Sequence, residues 1–553
     1  MLLLAQLVAP PLQPGPVRLP ATAPEQRPRV NEKVFDQPTE GDPNSRGTGE
    51  PSTQTSLSWR PNVQGKTPYS SEKVQQILHN CGKSEISTTL QACAAALTAQ
   101  LIQDGYINSR VYNLTTPAPG SLEVVLGTIA ELRITSEDNS LRQQVQLQLN
   151  PLIGSVLHLP TLERALINIR KGGTGDIKGG MGRLGSDPTK AVVSLNVARA
   201  LPKPLMADLR FGNNGSVGSG EWRTGATLLQ QGLIKHGDTA LLFLELNSDG
   251  QLELGSKITS ATYTWPLNDR LELTGSFGYS DRRFVEFRKP AHDFRFRTLQ
   301  SLLQLENVMY TSPTLNWGAA VGFSTNRTDS YKNGRSFPLV AGGGLDGWAR
   351  SGFLKLSTNV SGVNKQFFWS ANAYITQGIA GVTLDDHLHN LNLAGISPGE
   401  ARAIGGIADI SWKLSTGTQL NLRAACQVAL AALPGNMTFS IGSDVGLRGL
   451  PGSLIAGDSG YLSMGEIVWT AWQSGDQNLA LIPYVGIGGI HTDGSFGLIE
   501  DSIGVGGLIG RYRNGRWEVE LGWTDTFNSD DNPGLWTDWV LGHGLHTKLR
   551  YSF

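Results

Sequence analysis

The sequence predicts a transmembrane β-barrel of about 16 antiparallel strands, preceded by two small α+β modules. Three observations support this prediction. Apolar and polar residues alternate strictly along the last strand, which ends on Phe553. The same period-two alternation recurs from residue 204 onward, whereas helical periodicity is confined to residues 67–203.

The end of the chain is typical of the closing strand of a membrane barrel. Leu549, Tyr551 and Phe553 fall on one face of this strand because successive side chains point to opposite faces. In a soluble domain they would form an exposed apolar edge, which proteins avoid. In a barrel, they lie toward lipid and its aromatic interface, so we take them as the barrel-closing terminal signal.

The composition agrees with a barrel. The net charge of −1 over 553 residues indicates no nucleic-acid partner. No apolar run approaches the ~18 residues of a membrane helix, but barrel strands present only every second residue to lipid. The 67 glycines and 13 tryptophans suit tight turns and aromatic girdles.

Residues 1–66 are interpreted as a signal remnant followed by a Pro-rich linker. Met1–Ala9 is apolar but short and lacks a basic start, as expected for a secretory signal whose beginning is misassigned. The segment that follows is rich in Pro, Gly, Ser and Thr. No convincing amphipathic helix is visible in residues 1–54.

Two α+β modules are predicted at residues 67–126 and 127–203. In the first, Leu90, Cys93 and Leu97 form an apolar stripe on a helix that ends near Gly105. Cys81 and Cys93 either form a disulfide, if the compartment is oxidising, or are two buried thiols. Further helices and strands are expected at 121–126, 129–134, 141–150, 161–171 and 191–197.

The barrel is assigned to residues 204–553. Trp517, Val519 and Leu521, for example, alternate with Glu518 and Glu520. A strand within 337–360 is poorly defined by its pattern. The long connections at 380–402 and 431–458 are predicted to be extracellular loops.

The connection 431–458 carries a resemblance to a known family. With its Arg-Gly core, its motif resembles the Val-Arg-Gly-Tyr-type motif of two-partner-secretion transporters, the haemolysin secretion/activation family of outer-membrane pores. Five predicted strands follow this loop, as in that family. Gly105-Tyr106-Ile107, with Arg110-Val111 after it, resembles the first of the family's two POTRA modules. The loop residues that carry the resemblance are Leu447, Arg448, Gly449, Leu450, Gly457, Asp458 and Gly460.

The facing strand departs from the family pattern. The resemblance implies that Arg448 enters the barrel lumen and pairs with an acid on the thirteenth strand. That strand carries Tyr484, but Gly486 and Gly488 stand where the family has an aromatic residue and an acid. A buried arginine needs an anionic partner or water, which Asp493 or a neighbouring strand could supply.

The resemblance implies an outer-membrane transporter with its modules in the periplasm. The modules would bind an unfolded, TpsA-like exoprotein by adding its strand to a sheet edge, with 121–126 and 191–197 as candidate edges. The cargo would then cross the barrel lumen, as in type V secretion. The other implied partners are outer-membrane lipid and the barrel-assembly machinery. We expect no cofactor, metal or enzymatic activity.

Two other functions stay open at this point. An outer-membrane β-barrel assembly insertase shares the superfamily but commonly has more than two modules. A passive porin with a periplasmic binding domain would not need the Arg-Gly loop.

Two motifs are interpreted without a functional role. Gly342–Gly347 matches the dinucleotide fingerprint but lacks the strand and helix that this fingerprint requires. His387 and His389, beside Asp385 and Asp386, are expected in a solvated polar loop.

Overall fold

A computed structural model describes residues 60–553, except for gaps at 80, 82–85, 172–173, 200–204, 235–237, 269, 286–292, 313, 365, 495–496 and 528–535. The predicted signal remnant and most of the linker therefore lie outside the described residues. The chain forms two compact units, within residues 31–202 and 203–553, and each is described separately.

The first unit begins with a β-α-α-β-β module. Its three-stranded sheet has the order β1-β3-β2, with β3 parallel to β1 and antiparallel to β2. Leu90, Leu97 and Leu101 lie fully buried in its core, so the predicted helical stripe faces the sheet. The elements are β1 (Asn62–Gly65), α1 (Ser71–His79), α2 (Ile86–Gln103), β2 (Arg110–Leu114) and β3 (Ser121–Val125).

The second module repeats this topology. Its sheet has the order β4-β6-β5, again with the last strand in the middle. Leu162, Leu166 and Val193 are buried between helices and sheet. The elements are β4 (Thr128–Thr135), α3 (Asn139–Leu149), a 3₁₀ turn (Asn150–Leu152), α4 (Leu159–Lys171), β5 (Thr174–Leu184) and β6 (Asp187–Arg199).

The predicted cargo-binding edges are therefore wrong. Residues 121–126 and 191–197 belong to β3 and β6, which are the central strands of their sheets. Both segments are rich in Val and Leu because a central strand is covered more fully than an edge strand. The edges of the two sheets are β1, β2, β4 and β5.

The two cysteines of the first module form a disulfide. Cys81 follows α1 and Cys93 lies within α2, with a Cα–Cα distance of 5.0 Å. Cys93 is fully buried in the module core. The bond therefore ties the two helices together beneath the sheet.

The Gly105-Tyr106 motif lies at the junction of the two modules. Gly105 has φ +94° at the end of α2, and its carbonyl accepts a hydrogen bond of 2.9 Å from the amide of Leu159. The ring of Tyr106 lies 4.6 Å from that of His158. Arg110 donates to the carbonyls of Ile107 and Ser109.

Sixteen wall strands of the second unit close into an antiparallel barrel, as predicted. They are β7 (Leu205–Gly212), β8 (Trp222–Gln231), β9 (Thr239–Ser248), β10 (Leu254–Pro266), β11 (Leu271–Arg283), β12 (Phe294–Thr311), β13 (Leu315–Lys332), β15 (Trp348–Val363), β16 (Phe367–Gly378), β17 (Arg402–Lys413), β18 (Thr418–Ala429), β21 (Ser459–Ser474), β22 (Gln477–Gly494), β23 (Gly497–Asn514), β24 (Trp517–Phe527) and β25 (Leu545–Ser552). Of three further short strands, β14 (Arg335–Ser336) pairs with the end of β13, and β19 (Phe439–Ile441) and β20 (Ile455–Gly457) form a separate two-stranded sheet.

The two faces of the wall differ as the alternation predicts. Along β24, Trp517 and Leu521 are exposed on the outside, while Glu518 and Glu520 are buried on the inside. At the end of the chain, the rings of Tyr551 and Phe553 lie 4.8 Å apart, and Leu549 and Phe553 are exposed. Within the described residues, no helix has both the length and the apolar character needed to cross a membrane.

Two details of the connections differ from expectation. The poorly defined segment 337–360 is a loop up to residue 347, and the strand β15 begins at Trp348. The connection 380–402 contains a helix, α5 (Asp385–Leu393). His387 on this helix is 3% exposed and its ring lies 4.4 Å from that of Trp348, so it is a packing residue rather than part of a solvated loop.

Candidate functional site: the loop inside the barrel

The loop 431–458 leaves the eleventh wall strand, β18, and returns as the twelfth, β21. Its two ends pair as a small hairpin of β19 and β20, from Phe439–Gly457 to Ile441–Ile455. The segment between them packs on inward-facing residues of β21, β22 and β23 in the largest apolar cluster of the barrel. The loop therefore lies against the inner wall, in the lumen.

Leu447 fits into a space that two glycines leave on the thirteenth strand, β22. A Cβ atom at Gly486 would lie 2.8 Å from Leu447 Cδ2, and one at Gly488 would lie 2.8 Å from Leu447 Cδ1. Leu447 is fully buried. Gly486 and Gly488 thus leave a shallow depression in the wall, which the side chain of Leu447 fills by close packing. We call this depression the seat of the loop.

Arg448 points away from this seat, toward two carboxylates. Its Nε lies 3.1 Å from Glu466 Oε2, and its Nη1 lies 3.1 Å from Glu520 Oε2. Glu466 belongs to β21 and Glu520 to β24, so the arginine joins the twelfth strand to the fifteenth. The Glu520 side chain is 1% exposed, and a charge buried to this degree is stable only when it is paired.

The expected acidic partner on the thirteenth strand is therefore not used at the positions that the family pattern indicates. Gly486 and Gly488 carry no side chain, and the side chain of Asp493 lies outside the described residues. The carboxylates come from β21, which flanks β22, and from β24, two strands away. A side chain at either glycine would occupy the space in which Leu447 lies.

Glu520 is the centre of a larger charge network on the inner wall. Its second oxygen accepts a hydrogen bond of 2.9 Å from Arg511, while His546 and Lys548 lie 3.5 and 3.6 Å from Oε2. Lys548 also lies 3.6 Å from Glu518. The lumen beside the loop is thus fixed by paired charges of both signs.

Gly449 occupies a position that only glycine can take without strain. Its φ is +85°, a left-handed conformation that a side chain disfavours. A Cβ atom here would also overlap Thr524 Oγ1 and Tyr484 Oη. In the Arg-Gly core of the motif, the charge of Arg448 anchors the loop and the turn at Gly449 lets the backbone approach the wall. Leu450, which follows, is fully buried.

The Gly-Asp-x-Gly segment forms the end of the loop. Asp458 donates its amide to Thr492 Oγ1 at 3.0 Å, and its carbonyl accepts from Gln427 at 2.9 Å. A side chain at Gly457 or Gly460 would press on neighbours, which for Gly460 include the ring of Phe439. These residues hold the loop where it rejoins the wall.

The loop has a second anchor, which the sequence motifs do not indicate. Asp444 Oδ1 lies 2.5 Å from Nη1 of Arg223 on β8. Arg223 Nε donates in turn to Glu245 on β9 at 2.7 Å. In the sequence, the only sign of Arg223 and Glu245 is that both fall at inward-facing positions of strands with an alternating residue pattern.

No cluster suited to a metal ion occurs in the described part of the chain. The Gly342–Gly347 segment lies in the turn before β15, with neither the strand nor the helix of a dinucleotide site at its ends.

Sixteen antiparallel strands around an inwardly folded loop define an outer-membrane β-barrel protein. The profile of the haemolysin secretion/activation protein ShlB/FhaC/HecB family matches residues 191–497, more than half of the chain. The protein belongs to this family, and it is an outer-membrane transporter of the two-partner secretion type. A comparison with curated protein sequences gives no significant match.

Solved structures with the same fold include two proteins called CdiB. The chain is 16% identical to CdiB from Escherichia coli, with 96% of each chain covered and a TM-score of 0.75. It is 15% identical to CdiB from Acinetobacter baumannii, with 89% of each chain covered and a TM-score of 0.64. At these identities, the likeness is one of fold.

Proposed function

We propose that this transporter binds an unfolded exoprotein through its POTRA-like modules and exports it through the barrel lumen. The observation that carries the proposal is the loop held in the lumen by Arg448. A polypeptide that crosses the barrel needs the space in which this loop lies. Transport therefore requires the loop to leave its seat, and the paired charges set the cost of that step.

In this proposal, the modules lie in the periplasm and the edge strand β5 receives the cargo. At eleven residues, β5 is the longest edge strand of the two sheets, and β6 pairs with it on one side. Gly180 and Gly182 present open space where a side chain would stand. Extended segments add to such edges through main-chain hydrogen bonds.

Two adjacent proline substitutions test the β5 edge. Successive N–H groups of a strand point to opposite sides, so one of Met181→Pro and Gly182→Pro removes a donor from the free edge. The other removes a donor from the ladder with β6. The variant that keeps its circular dichroism should lose binding to the exoprotein; unchanged binding by that variant would contradict capture at β5.

The first experiment on transport measures export of an exoprotein encoded beside this chain, in cells with and without the chain. Dependence of export on the chain supports the proposal. If export is unaffected while other barrel proteins fail to assemble, the chain is an insertase instead.

The loop is tested by Arg448→Ala in the same assay. We expect export to be abolished, because transport in this proposal is a cycle that starts from the docked loop, and without Arg448 that starting state is lost even though undocking becomes easier. Arg327→Ala is the matched control, because Arg327 on β13 pairs with Asp329 of its own strand and not with a residue of the loop. Normal export with Arg448→Ala would contradict a role of the loop in transport.

A further inference from the structure

The seam at which the barrel closes is the shortest ladder of the described wall. Strands β25 and β7 share five residue pairs, from Lys548–Gly212 to Ser552–Asp208. The ladders on either side have seven and eight. Two further backbone hydrogen bonds extend the seam ladder, from Asn213 to Thr547 and from Phe553 to Ala207. Since local opening is easiest where few backbone hydrogen bonds must break, we expect the wall to open most readily at this seam.

The two anchors of the loop lie on opposite sides of this seam. The closed order of strands is β24-β25-β7-β8. Arg448 binds Glu520 on β24, which pairs with β25 on one side of the seam. Asp444 binds Arg223 on β8, which pairs with β7 on the other side. The loop thus crosses the seam from within and is attached beyond both of its strands.

The second anchor is built to hold. The Glu245 side chain is 2% exposed and fixes Arg223 in place. Beside it, Asn214 Nδ2 donates to Ser443 Oγ at 3.0 Å. The amide of Gly452 donates to the carbonyl of Gly215 at 2.7 Å.

The chain between the anchors is short and folded. Four peptide bonds separate Asp444 from Arg448, so its span is limited to about 3.5 Å per residue. Within it, the amide of Leu447 bonds to the carbonyl of Gly442 at 3.1 Å. The anchors can therefore move apart only if this hydrogen bond breaks and Leu447 leaves its seat.

We infer that the segment 442–452 is an internal strap that holds the β25–β7 seam closed, so that undocking of the loop also releases the seam. Two other groups reinforce the same line. Asn213 bonds to the carbonyl of Leu545 at 2.6 Å and to the amide of Thr547 at 2.9 Å. Arg550 lies 3.7 Å from Asp208 across the seam. The inference concerns the wall itself and stands whether or not cargo passes through the lumen.

Hydrogen–deuterium exchange of the full chain in detergent micelles tests the strap. Asp444→Asn removes one anchor without a change of size. We expect amides in residues 205–212 and 545–552 to exchange about fivefold faster, the effect of one ion pair whose carboxylate is half exposed. Asp444→Glu should keep the wild-type rates, and Ser443→Ala should shift them in the direction of Asp444→Asn.

Asp281→Asn is the matched control. Asp281 on β11 pairs with Arg295 on β12 at 2.7 Å, inside one ladder and away from the seam. It should leave exchange at the seam unchanged. Unchanged seam exchange in both Asp444→Asn and Ser443→Ala would overturn the inference, and so would a uniform increase over the whole barrel.

A disulfide across the seam gives an independent reading. Leu209 and Tyr551 are register partners in the ladder of β7 and β25. In a Cys426→Ser background, the pair Leu209→Cys and Tyr551→Cys should form a bond that abolishes the faster exchange of Asp444→Asn. Persistence of that faster exchange with the bond formed would show that the strap does not act through the seam.

Discussion

The guanidinium of Arg448 lies 3.1 Å from the carboxylate of Glu520, although 72 residues separate them in the chain. This contact brings the tip of a long loop to the fifteenth strand of the barrel wall. Glu520 also binds Arg511 through its other oxygen. The loop is thereby tied into a charge network that extends over β21, β23, β24 and β25 rather than to a single acid.

Glu520→Gln should weaken docking of the loop by about 2 kcal/mol or more, since Arg448 and Arg511 then share a buried neutral group. Trypsin cleavage after Arg448 in outer-membrane vesicles measures undocking, and we expect faster cleavage. Glu466→Gln is the companion variant, with a smaller effect because the Glu466 side chain is 16% exposed. Equal resistance of Glu520→Gln and wild type would refute the network.

Gly488→Ala should destabilise the docked loop by about 1–3 kcal/mol, because its Cβ would press on Leu447. In a Leu447→Ala background, which lacks the opposing methyl groups, Gly488→Ala should destabilise the docked loop much less. A double-mutant cycle on thermal unfolding in detergent measures this coupling. Simple additivity would show that the seat does not exist.

Gly449→Ala should cost about 1–2 kcal/mol of conformational strain at φ +85°, in addition to the overlap with Thr524. Gly475→Ala is the control, with φ +55° but open space around its Cβ position. Both variants carry the strain and only the first meets the wall. Conductance in planar bilayers should rise only in Gly449→Ala, and equal behaviour would speak against close packing of the loop.

Replacing Cys81 and Cys93 by serine should destabilise the first module by about 2–4 kcal/mol, since the disulfide no longer constrains the unfolded chain. Loss of helical circular dichroism on heating measures the effect. Cys426→Ser is the control, because Cys426 is a free thiol on the barrel wall. The same melting temperature for all three proteins would indicate that helix packing alone holds the module.

Much of the architecture follows from local patterns. The alternation of Trp517 and Leu521 with Glu518 and Glu520 indicates both the strand and its two faces, because the period of a strand is two. The helix that carries Leu90, Leu97 and Leu101 is equally local. By contrast, α1 and β5 were not predicted; β5 is rich in glycine and has no alternating pattern to find.

Pairing order is not written in such patterns. The patterns at 121–126 and 191–197 predict strands, yet both strands lie in the middle of their sheets rather than at an edge. The apolar character of a strand indicates that its faces are buried. Which strands pair with it depends on the path of the chain through the helices that connect them. The edge strand β5 is therefore visible only in the folded module.

By itself, the sequence determined the barrel, its strand number, the place of the loop between two strands of the chain and the Arg-Gly motif, since each depends on residues close in the chain. Only the tertiary structure decided where the loop is held. Leu447 faces Gly486 and Gly488, Arg448 meets Glu466 and Glu520, and Asp444 meets Arg223, all between distant strands. The reason is that closure of the barrel sets which inward side chains face the loop, and closure depends on all sixteen wall strands together.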